Sequence, residues 1–162
     1  FGYTEEKARR LLTKKLNMRA EKDGLDFDCF RAVVGNTFDA HRLSKFARAR
    51  GVDMTGSLFD ACFRDGRDLS DHAVLKSLAE EAGLGGKDTE SVLNGGDYAS
   101  DVRRDEDEAA RFGIRAVPYF GVDRTYGISG MKSLTLFRYA LKDLLRKANI
   151  GYTSPAVEND GE

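Results

Sequence analysis

Apolar residues recur at helical spacing along most of the chain. Leu11, Leu12 and Leu16 repeat in this way among Lys, Arg and Glu, which predicts a helix from Thr4 to about Glu21. Similar amphipathic runs, bounded by Ser, Asn, Asp and Gly, predict further helices at about residues 38–50, 55–64, 72–82, 88–94, 98–112 and 134–150. The pattern therefore favours a mainly α-helical protein.

One region has the pattern of strands instead. Aromatic and β-branched residues at 117–120 and 126–128 flank a polar turn at Asp123-Arg124, which predicts a β-hairpin. Residues 25–30 alternate apolar with acidic or polar, which fits either an exposed connector or another strand. A lone hairpin is marginally stable in water. Either the helices cover it, or strands from outside these residues complete its sheet.

Composition narrows the classes of function. The chain has 162 residues, 33% of them charged, and a net charge of -1, so no basic surface supports nucleic-acid binding. No apolar run approaches the ~20 residues of a transmembrane helix. Cys29 and Cys62 form no C-x-x-C and no disulfide framework, so we expect free thiols and favour an intracellular location, in cytoplasm or organelle. Because the chain starts at Phe1 rather than Met, we expect a fragment of a longer protein.

Three motifs in order carry a resemblance to a known family. They are NTFDAHRL at 36–43, LFDACFRDGRDLSD at 58–71, and the Val-Pro-aromatic-Phe hairpin that ends in ISG at 128–130. With these motifs the chain resembles the DsbA-type thioredoxin-like proteins of the FrnE and 2-hydroxychromene-2-carboxylate isomerase group. The resemblance extends from Tyr3 to about Lys147.

The resemblance implies a mainly α fold with one β-hairpin, made of a helical insertion and the C-terminal part of a thioredoxin-like α/β fold. Residues 1–113 would be the insertion, residues 114–150 the closing hairpin and helix, and residues 151–162 a disordered or partner-bound tail. The N-terminal strand–helix–strand unit of the family, with its redox-active C-x-x-C, would lie before Phe1. The chain would then be truncated, and we expect no catalytic residue within it.

The resemblance also implies an active-site groove. In the family the bond before the proline that matches Pro118 is cis and packs against the C-x-x-C sulfurs, and the backbone of Val117 would pair with an extended substrate. Asn36, Thr37 and His41 would begin the helix that faces this groove. Each has a simpler alternative: Asn36 and Thr37 as N-cap residues, His41 as a structural hydrogen-bonding group, and Pro118 as an ordinary strand-start proline.

Other polar clusters favour plain explanations. His41 with Arg42 could contact an acidic ligand or a thiolate. His72 with Asp68 and Asp71 could suggest a metal, but a capped helix start explains them better, so no metal site is expected. Two glycines, Gly121 and Gly127, stand where the family has bulkier strand residues. Glycine inside a strand weakens its pairing or marks close approach by another backbone.

Two functions follow from these patterns. The first is a FrnE-like thiol–disulfide oxidoreductase, or a glutathione-assisted isomerase, whose nucleophile lies outside this chain. The second is a non-catalytic thioredoxin-like subunit of a larger assembly. No cofactor is required, although the resemblance allows glutathione. The expected partner is the missing N-terminal half or another protein chain that completes the sheet, as a dimer or a larger complex.

Overall fold

The computed structural model describes residues 5–122 and 126–147. The predicted cap at Thr4, the turn at Asp123-Arg124 and the tail from Gly151 lie outside these residues. Within them the fold is mainly helical with one hairpin, as predicted. The elements in chain order are α1 (Glu5–Lys22), α2 (Phe38–Arg48), α3 (Thr55–Phe59) continued by a π-helical turn (Asp60–Arg64), α4 (His72–Glu81), α5 (Gly86–Asn94), α6 (Ala99–Arg111), β1 (Tyr119–Val122), β2 (Tyr126–Ser129) and α7 (Leu134–Lys147).

The elements fall into two compact units that divide between Glu108 and Ala109, within α6. We call the part before this point the helical unit and the part after it the hairpin unit. The predicted boundaries at residues 113/114 and 150/151 stay predictions.

The helical unit has a core of its own, formed mainly by α2, α4 and α5. Its apolar side chains are shut away from solvent: Leu43, Phe46 and Leu75 are at most 1% exposed. Around them the cluster includes Ala40, Ala47, Met54, Ala61, Leu78, Ala79, Leu84, Val92 and Leu93. The members on α2, α4 and α5 recur at helical spacing, and burial of such a stripe is the main source of stability for short helices.

Local signals in the sequence set most helix ends. Gly51 follows α2 with φ 77°, a conformation that a side chain disfavours, so the chain turns away there. At the start of α4 the Asp71 carboxylate accepts a hydrogen bond from the Ala73 backbone N–H at 2.8 Å, as the predicted cap requires. The segment 25–30, left open between connector and strand, is a connector.

Two sequence predictions need correction at the ends of helices. The helix expected from Asp88 begins two residues earlier, at Gly86, because Gly85 takes the extended N-cap conformation with ψ 127°. The helix expected at about residues 98–112 ends at Arg111, and the Phe112 side chain that follows it is 43% exposed.

The hairpin unit is built differently. Its strands pair antiparallel, with Phe120 opposite Ile128, and the Gly130 N–H donates to the Pro118 carbonyl at 2.8 Å. Helix α7 contacts the hairpin through an edge-to-face ring pair, Phe120 with Phe137, with centroids 4.9 Å apart. No residue among 109–122 and 126–147 is fully buried. The two strands form the whole sheet within the residues described.

Candidate functional site

The start of α2 is held by the side chain that precedes it. The Asn36 Oδ1 accepts a hydrogen bond from the Phe38 backbone N–H at 2.9 Å, and the Thr37 carbonyl accepts one from the His41 N–H at 3.0 Å. The Thr37 hydroxyl makes no capping hydrogen bond. Asn36 is therefore the residue that fixes this helix start, which leaves the Thr37 side chain for another role.

A pocket of about 340 Å³ lies between α2 and the helix formed by α3 and the π-helical turn. Its volume is in the range of small-molecule and side-chain binding pockets. Two of the predicted groove residues, Thr37 and His41, line it, whereas Asn36 does not. The other lining residues are Ala40, Ser44, Thr55, Leu58, Phe59, Cys62, Phe63 and Leu69.

The lining is mostly apolar, with a few polar groups at separate points. Thr37, Ser44 and Thr55 offer hydroxyls, and the exposed His41 offers an imidazole. The π-helical turn widens the helix locally and places Cys62 and Phe63 on the pocket wall. Such a surface can hold an apolar group and orient it with one or two hydrogen bonds.

The chemistry of the Cys62 thiol suits binding rather than attack. Burial, and then the neighbouring Cys29, raise the pKa of Cys62 above its usual range. The thiolate is the reactive form of cysteine, so a raised pKa lowers its reactivity near neutral pH. The pocket therefore has no activated nucleophile of its own among the residues described.

Arg42 has a structural role that the sequence did not suggest. Its guanidinium is buried and donates to the carbonyls of Asp97 at 2.9 Å and Gly95 at 2.7 Å, and to that of Val92. It also pairs with Asp39 at 2.7 Å. The expectation that Arg42 contacts an acidic ligand is wrong, because this cation closes the C-terminal end of α5 instead.

The His72 ring makes a hydrogen bond with a carboxylate of α2. The His72 Nε2 lies 2.8 Å from the Asp39 Oδ2, whereas Asp71 caps α4. Partial burial acts to raise the pKa of Asp39, but hydrogen bonds from His72 and Arg42 outweigh it and lower that pKa. Among the described residues no three His, Cys, Asp or Glu side chains are grouped so that they could hold a metal ion.

The remaining predicted site residues lie in the hairpin unit. The Val117–Pro118 bond is cis, as expected. The Val117 side chain is 87% exposed, and β1 begins just beyond Pro118, at Tyr119. Asn36, Thr37 and His41 thus belong to the helical unit, and Val117 and Pro118 to the hairpin unit.

Residues 4–142 match the sequence profile of the DSBA-like thioredoxin domain. The chain belongs to this family. The match includes the helical unit from residue 4 onward and most of the hairpin unit, so it is not confined to one motif.

A solved structure supports the DSBA-like assignment. The chain is similar to a probable DsbA oxidoreductase from Streptomyces coelicolor, with 31% sequence identity and a TM-score of 0.76. The similarity covers 99% of this chain and 68% of that one. No curated protein matches the chain. The family and this structure together place the domain among thioredoxin-like proteins of the thiol–disulfide oxidoreductase type.

Sequence reasoning missed several residues of the DSBA-like domain's pocket. Ser44, Thr55 and Leu58 face it, but nothing in their spacing distinguishes them from ordinary helix residues. The π-helical turn has no sequence signature either, so the position of Cys62 on the wall could not be predicted. The approach of α2 to this turn depends on tertiary packing. Within the described residues, no helix is both long enough and apolar enough for a membrane span.

Proposed function

We propose that the intact protein is a FrnE-like thiol–disulfide oxidoreductase whose C-x-x-C motif lies N-terminal to Phe1. The observation that carries this proposal is the match of residues 4–142 to the DSBA-like thioredoxin domain. The similar Streptomyces protein, a probable DsbA oxidoreductase, extends beyond the shared region, which covers 68% of its length. The remaining third of such a protein has room for a strand–helix–strand unit.

The reaction would need a low-pKa thiolate at a helix N-terminus, which attacks a substrate disulfide and forms a mixed disulfide that a second thiol resolves. Cys29 and Cys62 are poor candidates for that thiolate, because burial is the first cause that raises the pKa of each. The residues of this chain would therefore bind and position the substrate. The attacking sulfur would come from the proposed N-terminal unit.

The pocket of the helical unit would bind an apolar side chain of a peptide substrate. Thr37 and His41 would supply hydrogen bonds at its α2 wall, and Asn36 would keep this helix start in place. In the hairpin unit, the Val117 backbone would pair with the extended substrate, next to Pro118. Glutathione, a small peptide thiol, would be an alternative ligand.

The hairpin unit supports a further part of the proposal, the completion of its sheet. Two strands leave two outer edges without partners among the residues described. Several large apolar side chains of this unit are also exposed, including Val117, Met131, Leu134 and Tyr139, each at least 66%. Such edges and patches usually receive other strands or helices. The N-terminal thioredoxin half of the same protein is the proposed partner.

Disulfide exchange by the intact protein tests the proposal, with a model peptide disulfide that carries an aromatic side chain. We expect catalysis that depends on a C-x-x-C N-terminal to Phe1. Phe59 lines the pocket and is 51% exposed, so Phe59→Ser removes part of the wall without opening the core. We expect kcat/KM to fall about tenfold, mainly through KM, since ~1.4 kcal/mol of binding is a factor of ten.

Phe30→Ser is the matched control, because Phe30 is 54% exposed and does not line the pocket. It should leave KM unchanged. If the two variants change KM equally, the pocket is not the binding site, but the proposed oxidoreductase activity is not contradicted. An intact protein without a C-x-x-C and without exchange activity would reject the enzyme and support the alternative, a structural subunit of a larger assembly.

A further inference from the structure

The two free cysteines of the helical unit come from distant parts of the sequence but lie on adjacent backbone segments. Cys29 is in the irregular segment after α1, and Cys62 is in the π-helical turn. Both thiols are free and half-buried, so each keeps some contact with solvent. Neither belongs to a C-x-x-C, so their chemistry is separate from the reaction proposed above.

Three contacts fasten the Cys29 segment to the π-helical turn. The Asp28 N–H donates to the Phe63 carbonyl at 2.8 Å, and the Phe27 and Phe63 rings pack with centroids 5.2 Å apart. Further along, Gly66 passes so close to Arg31 that a Cβ there would lie 3.0 Å from the Arg31 carbonyl oxygen. Cys29 directly follows Asp28, and Cys62 directly precedes Phe63, the two residues that this hydrogen bond joins.

A fourth contact holds the Cys29 backbone against α1. The Asn17 Oδ1 accepts the Cys29 N–H at 2.8 Å, and the Asn17 Nδ2 donates to the Asp28 Oδ1 at 2.9 Å. One amide side chain therefore fixes two successive residues of the segment. The bond to Cys29 uses its backbone N–H and not its thiol.

The Cys29 thiol also affects the ionisation of Cys62. Burial raises the pKa of Cys62, and a negative charge on Cys29 raises it further. Burial and the adjacent Asp28 carboxylate raise the pKa of Cys29. The electrostatic effect of Cys29 on Cys62 agrees with the hydrogen bond that joins their two backbone segments, Asp28 to Phe63.

We propose that Cys29 and Cys62 form a dithiol pair that closes to an intramolecular disulfide when a small disulfide such as glutathione disulfide oxidises it. The Cys29 thiolate attacks one sulfur of glutathione disulfide and expels a glutathione thiolate. The Cys62 thiolate then attacks the Cys29 sulfur and expels the second glutathione. The two cysteine protons end on the two glutathiones, and the cysteines lose the two electrons that glutathione disulfide gains.

The bond would join the wall of the pocket to the segment after α1. Cys62 lines the pocket, so a bond from its sulfur to Cys29 would alter this part of the pocket wall. Closure of the bond would bring the two Cα atoms to about 4.4–6.8 Å and the two Cβ atoms to about 3.5–4.5 Å, the geometry that a disulfide requires. The redox state of the pair would thereby change the shape of the pocket.

Peptide mapping of the intact protein tests this pair. Trypsin releases Cys29 in peptide 23–31 and Cys62 in peptide 51–64, so a disulfide between these peptides identifies the bond even if other cysteines are present. After equilibration with a series of glutathione redox buffers, we expect this cross-link to replace both free peptides. Its equilibrium constant should be about tenfold or more above that of the same chain unfolded in urea, because folding raises the effective concentration of the thiols.

Single substitutions provide the matched controls. In Cys29→Ser and Cys62→Ser the remaining thiol has no partner, so it should accumulate as a mixed disulfide with glutathione, which wild type resolves. Independent glutathione adducts on both cysteines of the folded wild type, without the cross-link, would overturn the proposal. A cross-link that forms equally well in urea would also overturn it, because the fold would then contribute nothing. The comparison of folded wild type with wild type in urea tests the proposal even if a variant fails to fold.

Discussion

The helical unit and the hairpin unit differ in whether they enclose any side chain. The helical unit buries Leu43, Phe46 and Leu75 almost completely. In the hairpin unit no described residue is fully buried, and Val117 and Tyr139 are 87% and 74% exposed. One sequence therefore holds a part that supplies its own core and a part whose apolar residues have few partners among the residues described.

The difference shows where each unit obtains its stability. Burial of apolar area is the main favourable term in folding, so the helical unit can be stable by its own contacts. The hairpin unit has the ring pair of Phe120 with Phe137 and a short ladder of hydrogen bonds, which is little for an independent fold. Its stability is expected to depend on strands that cover and extend it, as a thioredoxin-like sheet provides.

Matched phenylalanine truncations give the largest expected effect. Phe46 is 1% exposed and its ring also meets that of Tyr98, with centroids 6.1 Å apart. Phe46→Ala should cost about 3–5 kcal/mol of unfolding free energy, the usual range for a buried phenylalanine. Phe137→Ala should cost only about 1–2 kcal/mol, because the ring is half-buried and its pair with Phe120 is worth roughly 1 kcal/mol.

Amide hydrogen exchange measures the two effects separately, on α2 for the first variant and on β1 and β2 for the second. Urea unfolding of each variant gives the total loss. Phe137→Ala in the intact protein could lower the unfolding free energy as much as Phe46→Ala does. The hairpin unit would then have a complete core in the intact protein, and the contrast between the two units would hold only for the residues of this chain.

Replacement of Arg42 tests how the core of the helical unit is closed. Lysine keeps the charge but has a single nitrogen, so Arg42→Lys leaves carbonyls at the end of α5 without donors. We expect a loss of about 2–3 kcal/mol, the cost of buried groups left unsatisfied. Arg64→Lys is the control, because the guanidinium of Arg64 pairs with Asp60 and Asp65 on the surface.

The control should change stability by less than about 1 kcal/mol, since exposed ion pairs contribute little. Urea midpoints of both variants, with exchange of the α5 amides, provide the measurement. Similar losses in the two variants would mean that the Arg42 contacts are no stronger than surface pairs. The closure of the core would then depend on apolar packing alone.

Helix periodicity and turn residues predicted most of the helical unit. The core positions of α2 and α4 follow the stripes of Leu and Ala in the sequence, and glycines such as Gly51 end helices where expected. These signals are local, so they can be read without knowledge of the fold. The hairpin could also be predicted, because its β-branched and aromatic residues flank a short polar stretch of the sequence.

The contents of the candidate site were harder to predict. In the sequence Arg42 has the features of a surface residue beside His41. It is buried only because α5 packs nearby, where Arg42 donates to the carbonyls of Val92 and Gly95. The adjacency of the Cys29 and Cys62 segments depends on tertiary contacts such as the hydrogen bond between Asp28 and Phe63 and the ring pair of Phe27 with Phe63. Such contacts join positions far apart in the sequence, and no local pattern specifies them.

The smallest expected effect concerns the two glycines of the hairpin. A Cβ on Gly127 would lie 2.5 Å from the Tyr119 Cζ and 3.2 Å from its Cε2, so the tyrosine ring covers this glycine. A Cβ on Gly121 would have only the Tyr119 Cε1 nearby, at 4.0 Å. Close approach of a side chain, rather than weakened pairing, thus explains Gly127.

Gly127→Ala should therefore displace the Tyr119 ring and cost about 1 kcal/mol of hairpin stability, whereas Gly121→Ala should be neutral or slightly stabilising, because alanine restricts the unfolded chain. Ring currents report the change: in wild type the Gly127 α-protons should be shifted upfield, and the Tyr119 ring signals should move in Gly127→Ala alone. If both variants behave alike, the ring does not lie over Gly127 in solution. The hairpin unit would then lack the contact between Tyr119 and Gly127, and the difference from the helical unit would be larger still.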